Sequence, residues 1–292
     1  SMNLSRNIIS SLENIYISPL ELCNLNCKYC YTKKTKNILS NRQILSFVRR
    51  YNKQLVTRNC QLKSVIFCGG EVFTLKNFPR LVNNLISQNI FITIITNGTI
   101  DKLDKIKDPK NCQLIVSFDG PQKIHDQNRG QGNFVKSKNF VEHALKLGFP
   151  VEIFYLITKD SYLYRDSFPK FLSKALKLHS SKELNFTYLT DRLGSLTSRQ
   201  VKNIRQNYPV YPPKNFSCAM LSLQSDGKFY PCCESNKAIG SLSDPLSKIL
   251  LNYSTIYLKN PLCPDPDYFC NFKNEVNNFS ERNHPSGVRT RA

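Results

Sequence analysis

Three cysteines lie within one short segment of this chain, and their spacing restricts the chemistry that the segment can support. Cys23, Cys27 and Cys30 follow the apolar run 15–22 with the spacing C-x3-C-x2-C. Soft thiolate ligands select iron–sulfur clusters or zinc, so these thiols can hold three irons of a 4Fe–4S cluster. No fourth cysteine is nearby, so one iron would stay open to a substrate. A zinc knuckle completed by a remote ligand, or a set of buried thiols, is the alternative.

Hydrophobic periodicity predicts an α/β fold. Apolar runs alternate with amphipathic stretches, which is typical of βαβ units and parallel strands. We expect strands near 15–19, 64–68, 91–96, 113–118, 151–157 and 183–189, and helices near 40–56, 75–88, 100–107, 136–147 and 167–178. Six such units are too few for a closed eight-fold barrel, so the pattern predicts an open, partial (β/α)6 barrel. Such folds place their sites at the carboxyl ends of the strands.

Glycines and polar residues follow three of the predicted strands. Two adjacent glycines at a strand end let the backbone approach a ligand where a Cβ would clash. Each short motif alone is common turn chemistry. Their order after the cysteine loop makes coincidence improbable. Strand by strand, the residues are Gly69, Gly70 and Glu71, then Thr96 and Asn97, then Ser117 and Asp119.

Together these features resemble the radical S-adenosylmethionine (SAM) superfamily. The loop 23–31, C-N-L-N-C-K-Y-C-Y, is similar to the superfamily's cluster-binding signature. The segments 69–71, 96–98 and 117–120 resemble its G-G-E, T-N-G and S-x-D-G motifs. The resemblance implies that the open iron chelates SAM. One electron from the reduced cluster then cleaves SAM to a 5′-deoxyadenosyl radical, which abstracts a hydrogen atom.

The same resemblance implies roles for individual residues. Cys23, Cys27 and Cys30 would ligate iron, and Tyr29 would lie near the adenine of SAM. The G-G-E motif would contact the amino group of the methionine. The later strand ends would line the SAM site through Thr96, Asn97, Ser117 and Asp119.

The pattern of the chain changes near residue 195. We expect a radical SAM partial barrel over 1–195, a linker plus a small C-terminal domain over 196–274, and a disordered tail over 275–292. Within 218–233, Asp226 and Gly227 predict the turn of a hairpin with a thiol at each foot. Four thiols of this domain predict a metal site rather than disulfides. They are Cys218, Cys232, Cys263 and Cys270.

The C-terminal domain resembles a twitch domain, the shortened relative of the SPASM domain. Gly227 and Cys232 have its G-x4-C spacing, and Cys218 lies upstream. The resemblance implies an auxiliary 4Fe–4S cluster. Cys233 is an alternative to one of the four proposed ligands, and zinc or structural thiols are alternatives to the cluster. The remaining cysteines, Cys60, Cys68 and Cys112, are expected to be small buried hydrophobic side chains.

The charge of the chain favours a negatively charged partner. Its 41 Lys and Arg and 21 Asp and Glu give a net charge of +20. Such an excess attracts nucleic acid or an acidic partner, although cations spread over helix faces are also typical of a solvated surface. No apolar run approaches the ~20 residues of a membrane span, and no targeting signal precedes the barrel. We therefore expect a cytoplasmic protein that does not interact with membranes.

Three functions follow from these observations. The segment 125–134 resembles the h-D-x-x-R-G-x-G-x-F stretch of peptide- and protein-modifying radical SAM enzymes. This favours hydrogen abstraction from a peptide or protein side chain, as in peptide maturases, with flavodoxin or ferredoxin as electron donor. Radical SAM modification of RNA or a nucleotide is the alternative, and a zinc-stabilised binding module is the third. The residue that quenches the product radical is not identified.

Overall fold

The computed structural model describes residues 11–30, 32–178, 184–190, 194–210 and 220–259. Its strands are β1 (Asn14–Ser18), β2 (Ser64–Phe67), β3 (Phe91–Thr96), β4 (Cys112–Phe118), β5 (Val151–Ile157), β6 (Asn185–Thr190), β7 (Ser222–Gln224), β8 (Lys228–Tyr230) and β9 (Gly240–Ser241). Its helices are α1 (Asn41–Val56), α2 (Phe78–Ile86), α3 (Gln122–Arg129), α4 (Asn133–Lys146), α5 (Ser167–Ala175), α6 (Ser198–Asn207) and α7 (Leu246–Lys259).

One nine-stranded sheet organises the fold, in the order β6-β5-β4-β3-β2-β1-β7-β8-β9. Strands β1 to β6 are parallel, and each pairs with its neighbour in sequence. Because crossovers between parallel strands are right-handed, this unbroken order places the connecting helices on one face of the sheet. The predicted α/β fold with six parallel strands is confirmed. Its sequential order is consistent with a partial barrel.

Alternation along the strands separates a core face from a cavity face. In β1, Ile15 and Ile17 are 1% and 0% exposed and belong to the main hydrophobic core. Tyr16 lies between them, points to the opposite face and lines a cavity. In β2, Val65 is buried in the core and Ile66 lines the same cavity. Successive side chains of a strand point to opposite faces. The inner face of the curved sheet is therefore the face on which a ligand site can form.

Side-chain hydrogen bonds at Ser40 and Gln43 define where helix α1 begins. Ser40 accepts a hydrogen bond from the backbone N–H of Gln43 at 3.2 Å, and the Gln43 side chain accepts one from the N–H of Ser40 at 2.9 Å. This capping box starts the helix where the sequence predicts it. An apolar stripe with helical spacing then packs on the sheet. It consists of Ile44, Phe47, Val48, Tyr51 and Leu55.

One predicted helix, 100–107, is wrong. The chain instead forms two short 3-10 turns, Leu103–Lys105 and Pro109–Asn111. The Asp101 carboxylate accepts a hydrogen bond from the N–H of Leu103 at 3.0 Å, which caps a turn and competes with a longer helix. Pro109 disfavours α-helical geometry at the residue before it. Helices α3, α6 and α7 were not predicted.

The predicted hairpin is confirmed, and it extends the barrel sheet. Strands β7 and β8 pair antiparallel around Asp226 and Gly227, whose φ is +75°. Strand β7 also pairs in parallel with β1. The Phe229 ring of β8 packs against Phe47 of α1, with ring centroids 5.0 Å apart. Within the described residues, the hairpin thus shares a sheet and a core with the barrel.

Several predictions fall on parts of the chain outside the described residues. These are three of the four C-terminal thiols, Cys218, Cys263 and Cys270, and the tail 275–292. The domain boundaries also stay predictions. None of the described helices combines the length and the apolar character that crossing a bilayer requires.

Replacing Phe229 with Ala tests whether hairpin and barrel unfold together. Phe229 is fully buried, and truncating a buried Phe costs about 3–5 kcal/mol. We expect a lower melting temperature and faster amide exchange in β1 and α1 as well as in β8. Leu258→Ala is the control, because Leu258 is 57% exposed, and it should change neither quantity. Faster exchange confined to β7 and β8 would contradict a shared core.

Candidate functional site

A cavity of about 310 Å³ lies on the inner face of the sheet, at the carboxyl ends of the strands. Its size falls within the usual range of small-molecule sites. Cys23, Cys27 and Cys30 all line it, so the three predicted ligands meet at one cavity. Six other predicted site residues line the cavity as well. They are Tyr29, Gly69, Gly70, Thr96, Asn97 and Ser117.

The glycines at the end of β2 allow a close approach of backbone to backbone. A Cβ on Gly70 would lie 1.9 Å from the carbonyl oxygen of Leu22, which is far inside van der Waals contact. The N–H of Gly70 donates to the Leu20 carbonyl at 2.9 Å, and the N–H of Glu71 donates to the Leu22 carbonyl at 3.0 Å. Gly69 also has a φ of +126°, which favours glycine. These contacts fix the segment that leads directly into Cys23.

The Glu71 carboxylate is buried and bonded to protein groups. It accepts hydrogen bonds from the Thr96 hydroxyl at 2.9 Å, from the N–H of Asn97 at 2.8 Å and from the N–H of Phe73 at 3.1 Å. Burial raises the pKa of Glu71, and these donors oppose the rise. Glu71 is 0% exposed and is absent from the cavity lining. In this structure the third residue of the G-G-E motif therefore joins the ends of β2 and β3.

Two N–H groups point at the Cys23 sulfur. The N–H of Leu25 lies 3.4 Å from Sγ, and Nδ2 of Asn97 lies 3.6 Å from it. Burial raises the pKa of the Cys23 thiol, whereas both donors lower it. Hydrogen bonds to ligand sulfur stabilise the thiolate and tune a cluster's potential. Asn97 also donates to Asn24 Oδ1 at 3.0 Å, so the end of β3 holds the start of the cysteine loop.

A buried charge cluster holds the other end of the loop. The Tyr29 hydroxyl donates to Asp119, and Arg129 Nε donates to the same carboxylate at 2.8 Å. The guanidinium carbon of Arg129 lies 5.5 Å from the centre of the Tyr29 ring, a cation–π distance. Burial raises the pKa of Tyr29 well above its ordinary value, so the hydroxyl remains a donor. Asp119 is fully buried behind Tyr29 and is not part of the cavity wall.

The arrangement of the three loop thiols around one cavity is compatible with a 4Fe–4S cluster. Among the described residues, no three Cys, His, Asp or Glu side chains are placed to hold one metal ion. A zinc knuckle needs such convergence, with Zn–S distances of about 2.3 Å. A 4Fe–4S cluster takes each thiol to a different iron, so its ligands can stand further apart. The three loop thiols around one cavity, with N–H donors on Cys23, meet that requirement.

Several residues of the cavity wall were not predicted. Cys68 was expected to be a buried hydrophobic residue, but it lines the cavity. The alternation in β2 explains this, because Ile66 faces the cavity and Cys68 is two residues further on. Cys60 and Cys112 are buried as expected. The other unpredicted wall residues with polar or sulfur-containing side chains are Tyr16, Thr32, Arg129, Thr190, Met220, Cys233 and Glu234.

The two adjacent thiols of the hairpin have different environments. Cys232 is 6% exposed, whereas Cys233 is half-buried and lines the cavity. Both residues form interactions within the protein. The prediction of an auxiliary site through Cys232 also involves residues outside the described part of the chain. Its ligand set therefore stays a prediction.

The comparison with protein families shows to which family the chain belongs. The model of the Radical SAM superfamily matches residues 17–166. This segment contains the cysteine loop, the strand-end motifs and the charge cluster around Asp119.

Curated relatives match at low identity. The sporulation killing factor maturation protein SkfB of Bacillus subtilis is 25% identical over 148 residues, which cover 48% of this chain and 34% of SkfB. The match thus spans about a third of that relative. The GTP 3',8-cyclase of Helicobacter pylori is 22% identical over 295 residues, which cover 88% of this chain and 91% of the cyclase.

Solved structures show the same fold. The structure of anSMEcpe with bound AdoMet and the Cp18Cys peptide superposes with a TM-score of 0.66. The superposition covers 83% of this chain and 81% of that chain, at 20% identity. At this low identity, the superposition shows a shared fold alone.

Removing the Arg129 charge tests the buried cluster. In Arg129→Met the Asp119 carboxylate loses its cationic partner inside the protein, which costs about 3–5 kcal/mol of unfolding free energy. Adding Asp119→Asn should recover part of this loss. Urea denaturation of the metal-free protein measures both effects. The control is Lys146→Met, which breaks the exposed pair with Glu142, and no measurable loss is expected. Equal losses in Arg129→Met and Lys146→Met would contradict the role assigned to Arg129.

Proposed function

The chain belongs to the radical SAM superfamily of enzymes, and we propose that it modifies a side chain of a peptide or protein. The superfamily uses a 4Fe–4S cluster and SAM. When bound, these groups supply the reductive cleavage of SAM and, from it, hydrogen abstraction from the substrate. The observation that carries the proposal is the convergence of three loop thiols and three glycine- or polar-residue strand ends on one cavity.

The residues of the cavity have separable tasks in this proposal. Cys23, Cys27 and Cys30 hold the cluster, and the N–H donors on Cys23 stabilise its thiolate. Tyr29 offers a ring whose orientation is fixed through its hydroxyl, and we propose that it contacts the adenine of SAM. Gly69, Gly70, Thr96, Asn97 and Ser117 would line the SAM site. Glu71 would hold Thr96 and Asn97 in place, and Asp119 would hold Tyr29.

In this proposal, the apolar part of the cavity contacts the substrate. Phe154 and Leu156 of β5 and Leu189 of β6 line the cavity on the side of the sheet away from β1. Apolar walls exclude water and so protect a reactive species from side reactions. A side chain that enters from the barrel mouth would meet this wall opposite the cysteine loop.

Two findings favour a peptide substrate over a nucleotide. The segment 125–134 resembles a stretch of peptide-modifying members, and it forms α3 and the turn into α4 beside the cysteine loop. The backbone N–H of Lys28 in the loop donates to the carbonyl of Asn128 at 3.0 Å. Among similar proteins, SkfB is named a maturation protein and anSMEcpe was solved with a bound peptide.

Modification of a nucleotide or RNA is the second candidate. The cyclase that covers 88% of this chain acts, by its name, on GTP. The net charge of +20 also suits a polyanion. We further propose an auxiliary 4Fe–4S cluster in the C-terminal segment, with Cys232 among its ligands, and a cytoplasmic location.

Replacing Cys23, Cys27 and Cys30 together with Ala tests the cluster assignment. The variant should lose about four irons per chain and form no 5′-deoxyadenosine from SAM with dithionite. Iron analysis and chromatography of the products after anaerobic reconstitution measure both. Cys112→Ala is the control, because this buried thiol is absent from the cavity lining, and it should keep iron and cleavage. SAM cleavage that survives the triple replacement would sink the assignment.

The iron that remains in the triple variant tests the auxiliary site. If the C-terminal thiols bind a second cluster, about four irons should remain, and a further Cys232→Ala change should remove them. That change should also lower the melting temperature, because metal binding and folding are linked. Zinc in place of the second set of irons would support a structural knuckle instead.

The substrate class can be decided by two parallel turnovers. The reconstituted enzyme is incubated anaerobically with SAM and either candidate peptides or tRNA. We expect a mass change in a peptide and no new nucleoside in a tRNA digest. Binding of tRNA should largely disappear near physiological salt, since each neutralised phosphate releases counterions. A new SAM-dependent nucleoside would reject the peptide proposal in favour of the second candidate.

A further inference from the structure

A second concavity, here called the outer groove, lies beside the start of the cysteine loop. It has a volume of about 730 Å³ and is formed by parts of three segments, 20–24, 38–42 and 74–77. Among the described residues, Cys23 alone lines both the outer groove and the inner cavity. The groove therefore reaches a proposed cluster ligand without opening the cavity in which SAM and substrate would bind.

The outer groove has an apolar floor. Leu22 is 37% exposed and Ile38 is 49% exposed, and both line the groove. Large apolar side chains are costly to leave in water, and an exposed apolar patch with a polar rim is typical of a site that binds another molecule. Leu20 and Leu39 are buried and line the same groove. Leu20 pairs with Ile38 in an antiparallel bridge, and the N–H of Leu39 donates to the Pro19 carbonyl at 2.8 Å, so the two segments of the floor are joined through their backbones.

The rim of the outer groove is positively charged. Arg42 and Lys76 are exposed and line it, whereas no Asp or Glu among the described residues does. Helices α1 and α2 also start at the groove, after Ser40 and Asn77, and neither has an acidic residue in its first turn. Helix N-termini carry a partial positive charge. An apolar floor with this rim is complementary to an acidic protein surface that has an apolar centre.

The position of the groove decides between a substrate and a reductant. A substrate must bring its reacting atoms into the inner cavity, and the groove shares only the Cys23 side chain with that cavity. An electron carrier, in contrast, needs only to come close to the cluster and does not have to enter the cavity. Reductive cleavage of SAM consumes one electron per event, and that electron must reach the cluster from outside the protein. The outer groove contacts Cys23 from outside the inner cavity, so a carrier bound there would lie close to the cluster.

We propose that the outer groove docks an acidic one-electron carrier protein that reduces the cluster through Cys23. The inference rests on the proposed function and adds the place where its reductant binds. In each event the carrier loses one electron and the cluster gains one, and no atom is transferred. A weak, transient contact suffices, and redox encounters of this kind bury less than about 1,200 Å².

Reversing the charges of the rim tests the proposal. The variant is Arg42→Glu with Lys76→Glu, and the probe is a purified flavodoxin with an acidic surface. We expect the Kd of the flavodoxin for the iron-loaded protein to rise about tenfold or more at low salt, because rim charges steer association. Cluster reduction by reduced flavodoxin, followed by the loss of cluster absorbance, should slow by a similar factor. Reduction by dithionite, a small ion that needs no docking surface, should be unchanged.

A matched control separates the groove from the general charge of the chain. Lys107→Glu with Lys110→Glu makes the same change in net charge. Both lysines are exposed and precede β4, which places them at the amino-terminal end of the sheet, away from the cavity. This variant should change the Kd less than about twofold, since surface charges beyond a Debye length are screened.

A substitution in the apolar floor tests the proposal independently of charge. Ile38→Ser should weaken binding at high salt as well as at low salt, because it removes apolar contact area and no charge. Equal weakening by the rim variant and the lysine control would overturn the proposal, since the overall charge would then explain binding. A parallel loss of dithionite-driven SAM cleavage in the rim variant would also overturn it. Failure of the unchanged protein to cleave SAM with dithionite would instead reject the proposed function, while flavodoxin binding is measured separately.

Discussion

The buried carboxylate of Glu71 is the interaction on which the rest of the site depends. Glu71 follows β2, and its backbone N–H donates to the carbonyl of Leu22, just before Cys23, the first thiol of the loop. Its side chain binds Thr96 and Asn97 at the end of β3, and Asn97 in turn donates to the Cys23 sulfur. One carboxylate thus connects two strand ends and the cysteine loop. Burying a carboxylate is costly, and the set of donors around it offsets that cost only in this geometry.

The strands were predictable because each is a short, mostly apolar run, with one face in the core and the other on a cavity that is itself partly apolar. The run 91–96 coincides with β3 at both ends. The helix expected at 100–107 failed because a single carboxylate and a proline outweigh a weak helical pattern. The main strands were therefore predictable from their apolar runs, whereas the segment 100–107 depends on single side chains that a hydrophobic pattern does not show.

For the site, the residues of the cavity wall were largely predictable, but the bonds between them were not. The spacing of the thiols and the order of the motifs identified most of the cavity wall. The partners of Glu71 and Asp119 could not be predicted, because most of these contacts join residues 10 to 90 positions apart in the sequence. The Glu71 and Asp119 carboxylates bond to other residues of the predicted site, and no local pattern in the sequence predicts those bonds. Cys68 shows the reverse case, since counting alternate residues along β2 would have placed it on the wall.

The parallel pairing of β7 with β1 has a further consequence for the edge of the barrel sheet. Without β7, the edge of β1 would present unpaired N–H and C=O groups, and such an edge is a template for another chain. The hairpin covers that edge with the pairs from Tyr16 to Ser18. The strand that leads into the cysteine loop is thereby protected from intermolecular sheet formation. The C-terminal hairpin thus disfavours aggregation through the edge of β1, which leads into the cysteine loop.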